Sequence, residues 1–127
     1  MSRVLVTGGA GFMGSQLVRT LAETGRDVVV FDKLTYAGNR AFLEGVPHRF
    51  IEGDVCDDQA VATALDGVDA VVHMAAESHV ARSLHGPDAF LHTNVLGTRV
   101  VLDAACRAGI DRFIHISTDE VFGQAPH

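Results

Sequence analysis

Residues 4–14 read Val-Leu-Val-Thr-Gly-Gly-Ala-Gly-Phe-Met-Gly. The apolar run predicts a buried strand, and the glycines after it predict a tight turn into a helix over Phe12–Glu23. Gly8, Gly11 and Gly14 would let backbone N–H groups approach a pyrophosphate at the positive end of that helix. Asp32 ends the next apolar run, where a carboxylate can accept hydrogen bonds from a ribose diol. This pattern predicts a dinucleotide site and favours NAD over NADP, although the neighbouring cation Lys33 argues the other way.

The rest of the chain alternates short apolar runs with helical stretches. We predict strands at Arg3–Thr7, Asp27–Asp32, His48–Glu52, Ala70–Met74 and Arg112–Ser117, and further helices near Arg40–Leu43 and over Asp58–Leu65 and Pro87–Ala108. Asp57 is a plausible cap, Pro87 suits a first helical turn and Gly109 a helix end. Alternation of this kind predicts an α/β fold with a doubly wound, five-stranded parallel sheet. On the longest helix, a stripe of apolar side chains is expected to face the core: Leu91, Val95, Leu102 and Ala105.

Composition limits the class of protein. The 127 residues suffice for one domain, 47% are hydrophobic, and 16 acidic residues outnumber 10 basic ones, for a net charge of −6. The basic residues are scattered, which argues against a nucleic-acid partner. No apolar run approaches the length of a membrane span, and the first one leads into glycines instead of a cleavage site. Cys56 and Cys106 have no metal-ligand or CxxC spacing, so we expect reduced thiols, a cytoplasmic location and no metal site.

The segment Ser117-Thr118-Asp119-Glu120-Val121-Phe122-Gly123 follows the fifth apolar run. A carboxylic acid beside a carboxylate can protonate a leaving group and remove a proton in one site, as elimination of water from a sugar requires. Adjacent residues on a regular strand face opposite sides of the sheet. Asp119 and Glu120 can therefore converge only if the strand ends near Ser117 and the chain turns.

Two further segments make the pattern specific: Leu-Thr-Tyr-Ala-Gly-Asn at 34–39 and His-Met-Ala-Ala-Glu-Ser-His-Val at 73–80. From Val4 to Gly123 the chain resembles the nucleotide-sugar 4,6-dehydratases of the extended short-chain dehydrogenase/reductase family, above all those that act on dTDP-glucose. The resemblance implies that residues 1–127 are the amino-terminal, NAD-binding Rossmann portion of an enzyme of deoxysugar supply. It also implies a homodimer in the full-length form, whose interface the helix over Pro87–Ala108 helps to build, so packing against a partner is the second interpretation of its apolar stripe.

The resemblance further implies roles for individual residues. Backbone contacts to the pyrophosphate would come from Phe12 and Met13, and contacts to the adenosine ribose from Asp32, Lys33, Leu34 and Thr35. Asp54 and Val55 would flank adenine, and the rest of the cofactor would be lined by Ala75, Ala76, Glu77, Thr93 and Ser117. Ser78 and Thr118 would hydrogen-bond the glucose unit, Asp119 would act as general acid, and Glu120 would act as general base.

The chain departs from this family in three respects. The family carries a Tyr-x-x-x-Lys pair on the next helix, whereas the single tyrosine of these 127 residues is Tyr36 in the cofactor loop. Ala81 stands where Asp is common, and Phe122 where Tyr is usual. The chain is then either the amino-terminal part of a longer enzyme, which we favour, or a half-domain. A sugar-nucleotide epimerase or decarboxylase and a non-catalytic NAD-binding fragment are the alternative functions.

Overall fold

Five parallel strands form one sheet. The computed structural model describes residues 2–77, 86–124 and 126. The strands are β1 (Arg3–Thr7), β2 (Asp27–Asp32), β3 (Arg49–Glu52), β4 (Ala70–His73) and β5 (Arg112–His115), and their order in the sheet is β3-β2-β1-β4-β5. The predicted doubly wound parallel sheet is therefore confirmed. Its strand order reverses direction beside β1, which is where open α/β sheets place their ligand crevice.

Helices occupy the connections between the strands. They are α1 (Phe12–Glu23), α2 (Asp58–Ala64), α3 (Pro87–Phe90) and α4 (Gly97–Arg107), and short 3₁₀ turns cover Arg40–Leu43 and Asp119–Phe122. A π-helical segment, Leu91–Leu96, joins α3 to α4, and the three pieces together are called the long helix here. The Asp57 carboxylate accepts the Ala60 N–H at 3.2 Å and caps α2, as predicted. None of the helices in the described ranges has the length and apolar character that crossing a membrane requires.

Alternate residues of the central strands supply two cores, one on each face of the sheet. Leu5, Val29 and Val71 face α2 and α4 in the first core, whose helical members include Val61 and Val101. Val4, Val6, Val28, Val30 and Val72 form the second core with Val18 of α1. Burial of each such side chain contributes about 1.5–3 kcal/mol. The sheet is therefore a rigid base for the loops at its carboxyl edge.

Several predicted bounds are wrong by one or two residues. β5 ends at His115 instead of Ser117, because its partner β4 ends at His73 and the last ladder bond runs from the Ile116 N–H to the His73 carbonyl at 3.0 Å. β3, β4 and α2 are one residue shorter than predicted, as is the end of the long helix.

The predicted apolar stripe of the long helix is wrong for three of its four residues. Ala105 is buried, but Leu91, Val95 and Leu102 expose 59%, 64% and 40% of their surface. The extrapolated period fails because the helix is not uniform: the Gly97 N–H bonds the His92 carbonyl, five residues back. A π-helical turn holds more residues than an α-helical turn, so residues before and after it do not share the face that a 3.6-residue period assigns.

Candidate functional site

The predicted site residues of the described chain lie at the ends of the five strands or in the segments that directly follow them. Because all five strands are parallel, these segments share the carboxyl edge of the sheet. Thr93 is the exception, because it lies in the π-helical segment and does not follow a strand. Ser78 and Ala81 fall outside the described residues. The other predicted residues therefore lie at one edge of the sheet.

The glycine-rich turn connects β1 to α1 with little free space. Gly8 has φ +72°, and a Cβ there would lie 2.8 Å from the backbone nitrogen of Ala75. A Cβ on Gly14 would collide with the carbonyl oxygen of Gly8. The α1 N-cap, Gly11, has no side chain to cap the first N–H groups of the helix. The turn therefore brings uncapped N–H groups of Phe12 and Met13 to the edge, which is the arrangement that binds phosphate.

Asp32 holds the start of the next loop. It is 9% exposed, and its two carboxylate oxygens accept the Ala10 N–H at 2.9 Å and the Leu34 N–H at 2.8 Å. The second bond holds Leu34 in a left-handed conformation with φ 59°, which is uncommon for a residue other than glycine. A carboxylate has about four lone-pair sites, so two remain for the hydroxyls of a ribose.

Lys33 is engaged by a carboxylate of the neighbouring loop. Its ammonium lies 3.0 Å from Asp54, and this hydrogen bond and the attraction of the Asp54 charge raise the pKa of Lys33. Burial acts to raise the pKa of Asp54, but the Cys56 backbone N–H and Lys33 outweigh it and leave that pKa lowered. Lys33 is therefore paired with Asp54, which makes its ammonium group less available to bind a 2′-phosphate.

Val55 differs from its neighbours Asp54 and Cys56 in that its side chain is buried. Its side chain is 5% exposed and belongs to the core beneath α4. Gly97 passes directly over it, since a Cβ there would lie 2.6 Å from a Val55 methyl group. Any contact of Val55 with a ligand at the edge therefore falls to its backbone.

The segment after β4, Met74–Glu77, is fastened by residues that the sequence analysis did not assign to the site. The Thr7 hydroxyl accepts the N–H groups of Met74 at 3.0 Å and Ala75 at 3.1 Å. The Asn94 side chain bonds both the N–H and the carbonyl of Glu77, at 2.8 and 3.0 Å. One signal was available in the sequence, because Asn94 and Thr98 are four residues apart on a predicted helix and therefore neighbours on its surface.

His73 lies beneath this segment and is 1% exposed. Its Nδ1 is 2.7 Å from the Thr7 hydroxyl and its Nε2 is 3.1 Å from the Thr98 hydroxyl. Burial, and secondarily the charge of His115, lower the pKa of His73 to about 4. The two imidazole rings are stacked with centroids 5.5 Å apart. His73 is therefore neutral at physiological pH and acts as a hydrogen-bonding spacer between strand and helix.

The predicted acid/base residues, Asp119 and Glu120, lie beyond β5 in a 3₁₀ turn that begins at Asp119. Ser117, Thr118, Asp119 and Glu120 are all exposed. The pKa of Glu120 is lowered, first by a hydrogen bond from the Thr118 side chain, then by its own backbone N–H and by Asp119. The predicted turn after the strand is confirmed, and it brings the side chains of Thr118, Asp119 and Glu120 into one local cluster. Among the described residues, no group of three or more histidine, cysteine, aspartate or glutamate side chains is arranged to hold a metal ion.

The sheet order, the glycine turn and the carboxyl-edge loops define a Rossmann-like α/β fold. Residues 4–127 match the NAD dependent epimerase/dehydratase family, and the chain belongs to that family. In an alignment of 134 positions it is 50% identical to the dTDP-glucose 4,6-dehydratase of Streptomyces niveus, covering 98% of this chain and 40% of that protein. In an alignment of 141 positions it is also 50% identical to dTDP-glucose 4,6-dehydratase 1 of Escherichia coli strain K12, covering 98% of this chain and 39% of that one.

Solved structures show the same likeness. The crystal structure of DesIV, a dTDP-glucose 4,6-dehydratase from Streptomyces venezuelae with NAD bound, superposes with a TM-score of 0.93 at 50% identity, covering 98% of this chain and 42% of that one. A UDP-glucose 4-epimerase from Brucella ovis in complex with NAD gives 0.91 at 32% identity, covering 100% and 39%. The chain thus spans about two-fifths of the length of the relatives it matches.

Proposed function

We propose that this chain is the NAD-binding portion, over residues 1–127, of a nucleotide-sugar 4,6-dehydratase that converts dTDP-glucose to dTDP-4-keto-6-deoxyglucose. The observation that carries the proposal is the Thr118-Asp119-Glu120 cluster, which lies after β5 at the same sheet edge as the glycine turn. Identity of 50% to dTDP-glucose 4,6-dehydratases supports it. The activity and its substrate belong to the whole protein.

The residues present fit NAD. The glycine turn is a cradle in which an added Cβ at Gly14 would strike backbone. The uncapped start of α1 suits the pyrophosphate, and the free lone pairs of Asp32 suit the adenosine ribose. Asp54 would lie beside adenine, and Ala75, Ala76, Glu77, Thr93 and Ser117 would line the remainder. When bound, NAD would accept a hydride from the sugar C4 and, after water has left, return it to C6.

The acid/base cluster then performs the elimination. Successive residues of a 3₁₀ turn are about 120° apart, so the two carboxyl groups need not face opposite sides as on a strand. Glu120, ionised because of its lowered pKa, accepts the C5 proton, and Asp119 donates a proton to the departing C6 hydroxyl. Ser78 and Thr118 hydrogen-bond the glucose unit.

The test uses the full-length protein with dTDP-glucose. We expect Glu120→Gln and Asp119→Asn each to lower kcat by about 10²- to 10⁴-fold with NAD affinity unchanged. Glu23→Gln and Asp111→Asn make the same chemical changes at exposed positions away from the cluster and should leave kcat unchanged. Product mass identifies the reaction, since dehydration removes one water. Unchanged turnover in both cluster variants would refute the assignment.

The second candidate is a UDP-glucose 4-epimerase, and the TM-score of 0.91 to such an enzyme favours it. An epimerase needs no elimination acid and base, so it would not require Asp119 and Glu120. Turnover of UDP-glucose without loss of water, and insensitive to both substitutions, would establish it. NAD binding without turnover of either sugar nucleotide would identify a non-catalytic module.

We also propose that the full-length protein is a homodimer that uses the long helix. Leu91 and Val95 are exposed four residues apart in its π-helical segment, and neighbouring exposed apolar side chains favour a protein interface. A Val95→Glu variant should shift the sedimentation coefficient from dimer to monomer, whereas Thr63→Glu on α2 should not. A wild-type monomer would contradict this proposal.

A further inference from the structure

Backbone segment Met74–Glu77 lies so close to the glycine turn that it leaves no room for a side chain at Gly8. The Ala75 nitrogen lies where a Cβ of Gly8 would be only 2.8 Å away. A small shift of this segment would therefore displace the turn or open a gap beside it. What fixes the segment also fixes the shape of the edge at which the cofactor is proposed to bind.

The amino-terminal end of the segment is fixed by a hydroxyl with no spare capacity. Thr7 Oγ1 accepts two N–H groups, from Ala75 and from Met74, whose N–H also bonds the Thr7 carbonyl at 3.2 Å. A hydroxyl has two lone pairs and one proton, so the remaining bond, to His73 Nδ1 at 2.7 Å, must be a donation by Thr7. The proton of His73 is consequently on Nε2.

The chain of bonds then continues in one direction into the long helix. His73 Nε2–H donates to Thr98 Oγ1 at 3.1 Å, and the Thr98 hydroxyl donates to the Asn94 carbonyl at 2.7 Å. In the series from Thr7 through His73 and Thr98 to Asn94, each O–H or N–H therefore donates to a single acceptor. The strand end and the π-helical segment are thereby held in a single relative position.

Asn94 closes the series onto the far end of the same segment. Its carboxamide accepts the Glu77 N–H at 2.8 Å and donates to the Glu77 carbonyl at 3.0 Å, as a neighbouring strand would. Asn94 lies within the π-helical segment, and such turns occur often at functional sites. The same residue therefore receives the hydrogen-bond chain through its backbone and clamps the segment through its side chain.

We propose that Asn94 is a positioning residue that sets the backbone conformation of Met74–Glu77 for NAD binding. The segment is fixed at one end by Thr7 and at the other by Asn94, and the His73–Thr98 link holds the two fixing points in register. This inference rests on the proposed NAD-binding function. Asn94 acts through Glu77 and takes no part in proton transfer.

Amide hydrogen exchange and NAD titration of the full-length protein test the proposal. Asn94→Leu removes both bonds, and exchange of the Glu77 amide in the NAD-free protein should accelerate by about fivefold or more. Asn94→Asp keeps an acceptor for that amide, so its protection should be retained. Affinity for NAD should fall by about tenfold in Asn94→Leu and by less in Asn94→Asp.

Two controls separate positioning from general damage. Exchange at the core amides of Leu5 and Val29, measured in the same samples, should not change. Gln59→Glu makes the amide-to-carboxylate change at an exposed position of α2 and should leave NAD affinity unaltered. Unchanged Glu77 exchange in Asn94→Leu, or NAD affinity within twofold of wild type, would overturn the proposal. If the wild-type protein does not bind NAD, the proposed function fails, whereas the Glu77 exchange still decides whether Asn94 clamps the segment.

Discussion

Replacing Thr7 by valine tests the hydrogen-bond series at its most heavily used atom. Valine preserves the shape of the side chain, which is 0% exposed, but removes the hydroxyl. The Ala75 N–H and His73 Nδ1 then lose their partner, whereas the Met74 N–H keeps a second acceptor, the Thr7 carbonyl at 3.2 Å. We therefore expect Thr7→Val to be much more destabilising than its small change in volume suggests.

The magnitude follows from the number of stranded groups. A buried group left without its partner costs about 1–3 kcal/mol, and the bond to the Ala75 N–H is only part-buried, so the lower end applies to it. The two together give about 2–4 kcal/mol, a large share of the roughly 5–15 kcal/mol that stabilises a typical domain. Thr7→Ser keeps the hydroxyl and loses one methyl group, which costs about 1 kcal/mol.

The assay is guanidinium-induced unfolding of the full-length protein at neutral pH, with wild type, Thr7→Ser and Thr7→Val compared directly. Thr63→Val is the matched control, because the Thr63 hydroxyl bonds only the Gln59 carbonyl of its own helix, at 2.9 Å, in an exposed position. It should change the free energy of unfolding by less than about 0.5 kcal/mol. Equal destabilisation by Thr7→Val and Thr7→Ser would refute the reasoning, since the hydroxyl would then contribute nothing beyond its volume.

Three further predictions concern titration and the cofactor edge. Because the pKa of His73 is about 4 in the folded protein and 6.5 when unperturbed, the unfolded state binds more protons between those values, so stability should fall by up to about 3 kcal/mol as pH drops from 6.5 to 4. Subtracting the pH profile of His73→Leu from that of wild type should isolate this loss, and identical slopes would exclude it. Asp32→Ala should weaken NAD binding by about 10- to 100-fold in a calorimetric titration, since charge-assisted hydrogen bonds to the ribose are lost, and an affinity equal to wild type would show that Asp32 does not bind the ribose. Gly14→Ala should abolish NAD binding, because its Cβ would strike the Gly8 carbonyl. The control Gly109→Ala, at a position with φ +72° and open space around it, should lose about 1 kcal/mol of stability and no affinity for NAD. NAD binding by Gly14→Ala would contradict the packing of the turn.

Much of the fold was predictable because local sequence and tertiary structure agree. Apolar runs such as Val28–Phe31 mark strands covered on both faces, and Gly8, Asp57 and Gly109 mark turns and helix ends. The end of β5 was not predictable from its own residues, since Ile116 and Ser117 suit a strand well. It depends on where the partner strand stops, which is a property of the register between β4 and β5.

The candidate site, like the fold, could be predicted from the sequence only in part. Loops after parallel strands must share one edge, so Asp32, Asp54 and Glu77 could be placed together from the sequence. The fastening of Met74–Glu77 depends on the pairing of Thr7 with His73 and on the π-helical turn that carries Asn94. A uniform helical period cannot anticipate that turn, and the same omission misplaced Leu91, Val95 and Leu102.

The use of polar groups separates those that hold this edge together from those that are available to a ligand. Among the described residues, no buried side-chain nitrogen or oxygen lacks a hydrogen-bond partner. Thr7 has used every bond it can make, so it is structural. Asp32 has used about half of its lone pairs, and the first N–H groups of α1 have no side-chain cap, so both retain capacity on the open side of the edge. Asp119 and Glu120 are exposed after β5 at the same edge, so a ligand that spans this edge would meet polar groups with unused hydrogen-bonding capacity.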